Sequence, residues 1–209
     1  DGLAPDLGPA HLRPALAGAT PARGERRGRV ALLTGCVQGV FFPGVNEATV
    51  RVLSAEGFEV LVPPGQGCCG ALSVHAGRDE EARRMARAAI ELFEVSGVET
   101  VVVNAAGCGS HLKDLSQLFA GDPAWSARAA AFSKRVKDVN ELLASVAPRA
   151  ERHPVVARVA YHSPCHLGHA QGVQDPPRAL LRAIPGLELV EVPEGDHCCG
   201  SAGIYNLVQ

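Results

Sequence analysis

Aromatic residues are scarce in this chain, and several marks of common function classes are missing. Only 4% of the 209 residues are aromatic, which argues against the stacking platforms that bind single-stranded nucleic acid. No apolar run approaches the roughly 20 residues of a membrane-spanning helix. The pattern GxxxxGK(S/T) does not occur, so no phosphate-cradling P-loop is predicted. The remaining composition, 46% hydrophobic with a net charge of −2, is that of a globular protein without a polyanionic partner.

The first 28 residues are interpreted as a linker. They are rich in Ala, Pro, Gly and Arg, do not begin with Met and show no signal-peptide pattern. We therefore expect a cytoplasmic protein, of which this chain is a fragment whose linker leads out of a preceding region.

Cysteine is the residue type that stands out. An odd number of cysteines without a secretory signal argues against a disulfide framework and favours metal binding or catalysis. Two pairs are adjacent, in GQGCCGALS and GDHCCGSAG, and neighbouring residues are too close for an unstrained disulfide. A lone cysteine can be a small buried hydrophobe, but that does not explain two CCG triplets. The seven positions are Cys36, Cys68, Cys69, Cys108, Cys165, Cys198 and Cys199.

The chain also contains an internal duplication. RVALLTGC at 29–36 aligns with RVAYHSPC at 158–165 at an offset of 129. GFEVLVPPGQGCCG at 57–70 aligns with GLELVEVPEGDHCCG at 186–200, where one inserted residue changes the offset to 130. A repeat of this length predicts two homologous domains rather than solenoid units.

Both copies are predicted to be Rossmann-like α/β domains with parallel sheets. The first copy, at 29–150, alternates strand-like and helix-like segments, which is typical of βαβ units. The second copy, at 155–209, is incomplete and contains only the first half of the pattern. In the first copy we predict strands at 29–34, 58–62 and 100–104, and helices at 43–57, 79–96, 112–119 and 137–147.

Each cysteine of the first copy follows a predicted strand. Cys36 follows the first strand, the pair Cys68 and Cys69 the second, and Cys108 the third. The carboxyl edge of an open α/β sheet is where ligands bind. Glycines around each cysteine allow tight turns, and helices beginning there would direct N–H groups toward thiolates. We therefore predict that the four thiols converge.

Four thiolates from three loops suit either zinc or an iron–sulfur cluster. No CxxC pair is present and the loops lie 32 and 39 residues apart, which favours a cluster held by a folded domain and keeps zinc as the alternative. Cys165 in HSPCHLGH offers a third chemistry, because His162, His166 or His169 could serve as the base for a thiolate nucleophile. We favour hydrogen-bond donors to a bound thiolate, since the equivalent Cys36 has no nearby histidine.

The spacing from Cys36 through CCG to Cys108, begun again at Cys165, resembles the cysteine-rich CCG domain. That domain occurs in tandem in heterodisulfide reductases, anaerobic glycerol-3-phosphate dehydrogenases, lactate-utilisation proteins and glycolate oxidase iron–sulfur subunits. RGRVALLTGCVQGVFFPGVNEATVRVLSAEGFEV, PPGQGCCGALSVHAG, YHSPCHLGHAQGV and CCGSAGIYNLVQ resemble the glycolate oxidase subunits most. The resemblance covers residues 27–209.

The resemblance implies an electron-transfer role with a [4Fe–4S] cluster, and all seven cysteines as ligands. FAD-containing partner subunits would oxidise glycolate to glyoxylate, and no substrate oxidation is expected from this chain alone. A ferredoxin-like region of the family is missing here. Electrons would continue to a membrane acceptor, which implies peripheral association with the inner face of the membrane. A lactate-utilisation or heterodisulfide-reductase-type subunit, or a structural zinc domain, is the alternative.

The chain departs from the heterodisulfide reductase pattern at two places. His111 stands where that pattern has a final cysteine, so a four-thiolate site is expected in place of a five-cysteine cluster. The second copy has only three cysteines, so its site is expected to be empty, to hold zinc, or to use residues beyond 209. The histidines expected beside the ligands are His111, His162, His166 and His197.

Overall fold

The computed structural model describes residues 16–195 and 197. Its main sheet has five strands in the order β1-β3-β2-β4-β5, and every pairing is parallel except that of β1 with β3. Strands β1 and β2 precede Cys36 in the chain, and β5 follows Cys108. The bounds of the five strands are β1 Ala19–Thr20, β2 Gly28–Leu33, β3 Phe58–Leu61, β4 Thr100–Val103 and β5 Val136–Asp138.

Helices cover both faces of this sheet, so its central strands are buried on both sides. The helices are α1 Cys36–Phe41, α2 Pro43–Ala55, α3 Ala71–His75, α4 Asp79–Val95, α5 Ala106–Lys113, α6 Leu115–Leu118, α7 Ser126–Ser133 and α8 Val139–Ala144. One core contains Phe93, Phe119 and Phe132 beneath α4 to α7, and the other contains Leu53 and Leu142 beneath α2 and α8. This two-sided burial explains why β4 reads as an uninterrupted apolar run.

The second copy forms a parallel pair of strands, β6 (Ala157–Tyr161) and β7 (Leu187–Glu191), with α9 (Asp175–Arg182) between them. A single π-helical turn, His166–Ala170, follows Cys165. None of the described helices is long and apolar enough to cross a bilayer.

The duplication extends to strand register. Arg29 pairs with Glu59 in the first copy and Arg158 with Glu188 in the second, each shifted by 129 positions. The same ion pair joins them in both copies, at 3.0 Å and 3.3 Å. The prediction of an α/β fold with parallel sheets in two homologous copies is therefore confirmed.

Three local predictions differ from the structure. The segment 137–147 is not one helix, because Val136–Asp138 forms β5 before α8 begins. The predicted helix at 112–119 is two short helices that meet at Asp114. Part of the predicted linker is structured, since Ala19–Thr20 adds β1 to the edge of β3. A three-residue strand and a two-residue strand are too short to show a periodic pattern.

Candidate metal centre

The four first-copy cysteines lie at the carboxyl edge of the main sheet, on three loops. Cys36 is the first residue of α1, directly after β2. Cys68 and Cys69 lie between β3 and α3, and Cys108 is the third residue of α5, after β4. None of them forms a disulfide. The crossover connections of a parallel sheet thus bring cysteines that are distant in sequence to one edge.

The thiols are arranged as two contacting pairs. The Sγ atoms of Cys36 and Cys68 are 3.4 Å apart, and the backbone N–H of Gly70 points to Cys68 Sγ at 3.5 Å. A hydrogen bond joins the side chains of Cys69 and Cys108. Cys36 and Cys68 are also close enough that their negative charges act to raise the pKa of Cys108. The four thiols predicted to converge therefore do so.

Contact between thiols changes their acidity. Burial, followed by the hydrogen bond with Cys68, raises the pKa of Cys36. The hydrogen bond from the Cys69 thiol stabilises the Cys108 thiolate, so the pKa of Cys108 is lowered and that of Cys69 is raised. Four thiolates at this spacing repel one another unless a cation shares their charge. The donor set therefore fits a positively charged iron or zinc group.

A half-buried amide, that of Gln66, fixes the loop that carries the CCG triplet. The Oε1 atom of Gln66 accepts a hydrogen bond from the backbone N–H of Thr34 at 2.9 Å. Its Nε2 atom donates to the carbonyl of Leu32 at 2.9 Å. Gln66 thus ties the residues before Cys68 to the end of β2, two residues before Cys36.

A second amide network ties the other two loops together. Gln38 on α1 donates to Asn104 Oδ1 at 2.7 Å, and Asn104 donates to Asn46 Oδ1 at 2.9 Å and Thr49 Oγ1 at 2.8 Å. Asn46 and Thr49 are buried on the inner face of α2. Sequence reasoning missed these residues. Their signal was Asn and Thr at core-facing positions of α2, and Asn at the end of β4.

His111 lies against the CCG loop. Its Nε2 atom is buried without a hydrogen-bond partner and would be 3.4 Å from a Cβ built on Gly70. Burial lowers the pKa of its imidazole, which favours the neutral form. A neutral imidazole next to the thiol loop can act as a hydrogen-bond donor there.

The second-copy residues are less gathered. Cys165 Sγ is 3.9 Å from His166 Nδ1, within reach of a weak hydrogen bond. His162 is exposed, and exposed His197 has its Nδ1 3.8 Å from Glu194 Oε2. The predicted ligands Cys198 and Cys199 lie outside the described residues.

Across residues 16–195 and 197, no group of three or more His, Cys, Asp and Glu side chains is placed to hold one ion. One zinc ion needs its sulfurs about 2.3 Å from a common point, so about 3.8 Å from each other. An iron–sulfur cluster distributes its thiolates over several irons.

The fold and this site define a class: an α/β protein that presents clustered cysteine thiols at the carboxyl edge of a parallel sheet. The model of the CCG family, described as a cysteine-rich domain, matches residues 30–113 and 159–209. The chain belongs to this family. The matched segments are the two copies that the duplication and the common strand register define.

Curated relatives show in which proteins such domains occur. The chain is 39% identical over 193 residues to a probable glycolate oxidase iron-sulfur subunit of Bacillus subtilis. The aligned part is 90% of this chain and 43% of the relative. It is 38% identical to a subunit of the fumarate reductase (CoM/CoB) of Methanothermobacter marburgensis, over 84% of this chain and 33% of that protein. Lactate utilization protein A of an Exiguobacterium species is 32% identical, over 85% of this chain and 73% of that protein. The chain thus spans less than half the length of the first two relatives, and the family resemblance read from the sequence is confirmed.

Proposed function

We propose that the first copy binds an iron–sulfur cluster through Cys36, Cys68, Cys69 and Cys108. The observation that carries this proposal is the convergence of four thiols from three loops at one sheet edge. Zinc remains the alternative group, and the spread of the cysteines over three loops without a CxxC pair favours the cluster. A bound cluster would supply reversible one-electron chemistry.

The chain's own residues set the environment of that chemistry. The Gly70 N–H directs its dipole at Cys68 Sγ, and a hydrogen bond to a ligand sulfur favours the reduced, more negative state. Burial of Cys69 restricts access of water to that thiol. His111 adds a neutral imidazole beside the same loop. These residues would adjust the reduction potential without taking part in any covalent step.

We further propose that the chain works as the electron-transfer subunit of a flavin-dependent oxidase of a small 2-hydroxy acid. Relatives are named as subunits of glycolate oxidase and as lactate utilisation proteins, which supports a redox complex. FAD-containing partner subunits would oxidise the substrate, and glycolate is the first candidate because of the Bacillus relative. The acceptor would lie at the inner face of the membrane, with the chain in the cytoplasm.

In the second copy, Cys165, Cys198 and Cys199 are proposed as ligands of a second site. Cys165 occupies the position of Cys36, directly after the first strand of its copy. His166 Nδ1 lies 3.9 Å from Cys165 Sγ, within reach of a weak hydrogen bond. Its role here is that of a hydrogen-bonding neighbour, and a nucleophilic role for Cys165 is the competing proposal.

The test measures iron, zinc and acid-labile sulfide per chain after anaerobic purification. The wild type is compared with the Cys68→Ser/Cys69→Ser double variant, and Cys165→Ser serves as the control from the other copy. Iron and sulfide at about four each per occupied site, lost in the double variant and retained at the first site in the control, support the cluster. Zinc without sulfide, even after reconstitution, overturns it.

Substrate and partner are tested separately. The chain is mixed with its flavin subunits, and glycolate or lactate is added under anaerobic conditions. Bleaching of the visible cluster absorption by glycolate, only when the flavin subunits are present, supports the proposed role. Bleaching by lactate but not by glycolate would assign the lactate-utilisation alternative. Oxidation of either acid by this chain without the flavin subunits would contradict the proposal that those subunits oxidise the substrate.

A further inference from the structure

A cavity of about 220 Å³ lies between the CCG loop and α4 and reaches Cys68. On the loop side it is lined by Gly65, Gly67 and Cys68, and on the helix side by apolar residues that include Met85 and Ala89. Both glycines are exposed, and a Cβ built on either would meet no atom within 4 Å. A small uncharged molecule therefore has a route to Cys68, and we call this space the Cys68 cavity.

Cys68 differs from its neighbour Cys69 in access. Cys69 is only 3% exposed, and its thiol is hydrogen-bonded to Cys108. Cys68 is half-buried and forms part of the cavity wall. Its Sγ atom also lies 3.4 Å from that of Cys36. Cys68 thus combines a route for a reagent with a second thiol in contact.

Cys36 is the thiol with which Cys68 can form a disulfide with little movement. A disulfide bond is about 2.05 Å long, so the two sulfurs need to approach by about 1.4 Å from their present 3.4 Å. A bond between the adjacent Cys68 and Cys69 would be strained instead. Binding a common metal group explains why the thiols touch, but it does not require a cavity that leads to one of them.

We propose that Cys36 and Cys68 form a peroxide-sensitive dithiol that controls loading of the first site. When no metal group occupies the thiols, hydrogen peroxide enters the Cys68 cavity and oxidises Cys68, and a disulfide with Cys36 follows. The disulfide removes two of the four ligands, so the group does not bind until a dithiol reductant restores the thiols. The control of loading rests on the proposed function, whereas the dithiol chemistry does not.

The oxidation proceeds in two steps, with peroxide as its co-reactant. Cys68 Sγ first attacks one peroxide oxygen, so that an S–O bond forms and the O–O bond breaks. The leaving hydroxide takes up the thiol proton as water, and Cys68 becomes a sulfenic acid. Cys36 Sγ then attacks the Cys68 sulfur, so that the S–S bond forms, the S–O bond breaks and a second water leaves. Together the two thiols lose two electrons and two protons, and one peroxide becomes two waters.

The first test maps disulfides in the natural protein at its full length, after a chelator has removed its metal under anaerobic conditions. An equimolar amount of hydrogen peroxide is added, and the remaining thiols are blocked before digestion. The tryptic peptides are 30–51 with Cys36, 52–78 with Cys68 and Cys69, and 88–113 with Cys108. We expect a link between the first two peptides that is lost in Cys68→Ser and retained in Cys69→Ser. A link formed chiefly between the second and third peptides would overturn the proposal.

Two further variants test the order of the steps and the role of the cavity. In Cys36→Ser the second thiol is missing, so dimedone should trap a sulfenic acid on Cys68. Ala89→Leu fills the Cys68 cavity and should slow formation of the link by about five-fold or more, because access governs thiol oxidation. Ala127→Leu on the exposed side of α7 is the control and should leave the rate unchanged. Dimedone on Cys69 or Cys108 in place of Cys68, or an unchanged rate in Ala89→Leu, would contradict the assignment.

Loading is measured separately with Co²⁺, since its thiolate absorption can be followed without added reductant. The signal of the first site is the difference between the wild type and the Cys68→Ser/Cys69→Ser variant. Peroxide should lower this signal about ten-fold or more, because two thiolate ligands are lost, and dithiothreitol should restore it. Undiminished Co²⁺ binding by the disulfide form would overturn the control of loading. Absence of Co²⁺ binding in the reduced protein would overturn the metal centre itself, and the disulfide map decides the dithiol chemistry independently.

Discussion

Gly70, the last residue of the first CCG triplet, faces the backbone of Ala82 on α4. A Cβ on Gly70 would lie 3.0 Å from the Ala82 carbonyl oxygen and 3.2 Å from its Cα atom. Gly70 also has a φ of 97°, in the left-handed region that side chains other than glycine rarely adopt. Gly70 therefore permits the left-handed backbone and the close approach of α4, whereas the cysteines before it supply the thiols.

Gly70→Ala is expected to lower the free energy of unfolding by about 1–3 kcal/mol, because the left-handed backbone is strained and the contact is with rigid backbone atoms. Urea unfolding of the metal-free protein measures this, and the iron content should fall as well. Gly67→Ala is the matched control, since that position has no atom within 4 Å and lies in the same loop. Equal effects of the two substitutions would contradict the role assigned to Gly70.

Gln66→Glu tests the half-buried amide that holds the CCG loop. The substitution replaces the Nε2 donor to the Leu32 carbonyl with an oxygen, so two acceptors would face each other. We expect a loss of about 1–3 kcal/mol in stability and a shift in the reduction potential of the reconstituted protein. Gln117→Glu on the exposed side of α6 is the control. An unchanged potential in Gln66→Glu would show that Gln66 does not position the thiol loop.

The contact between copies is tested at Gly109. Gly109→Ala pushes aside the Gln171 side chain and breaks its hydrogen bond to Ala106, at a cost of about 0.5–1.5 kcal/mol. Gly107→Ala on the same helix meets no atom within 4 Å and should be neutral or stabilising. A double-mutant cycle with Gln171→Ala should show non-additive losses. Additive losses would mean that Gly109 and Gln171 do not interact.

Asp138 gives a pH dependence with a defined sign. It caps α8, where its side chain accepts a hydrogen bond from Asn140 N–H at 2.8 Å, and burial raises its pKa above the usual 3.8. The folded state therefore keeps the proton to a higher pH than the unfolded chain. Its contribution to stability is complete below pH 3.8 and is lost as the pH rises through the raised pKa.

Asp138→Asn removes this titration and keeps the Oδ1 acceptor of the cap. The difference in unfolding free energy, wild type minus variant, should fall as the pH is raised from about 4 into the weakly acidic range. Urea unfolding at a series of pH values measures it. A difference that rises with pH would show that the carboxylate, not the protonated acid, is favoured by folding.

Prediction from sequence succeeded where the pattern was long. The helix at 79–96 is observed as Asp79–Val95, with acidic residues in its first turn and an apolar inner face. The three strands that precede cysteines were also located to within one residue at each end. Prediction failed at β5 and β1, because strands of three and two residues are too short to show a periodic pattern. Their pairing with β4 and β3 defines them instead.

The sequence by itself determined that cysteines follow successive strands and that the motif is repeated at an offset of 129. Both are features of spacing along the chain. Because parallel strands joined by crossover connections end at the same edge of the sheet, this spacing places the cysteines at that edge. Only the tertiary structure decided which thiols touch, that Gln66 and Asn104 hold their loops, and that α5 covers the turn after Cys165. These depend on side-chain packing between segments 30 or more residues apart, and no local pattern in the chain encodes such contacts.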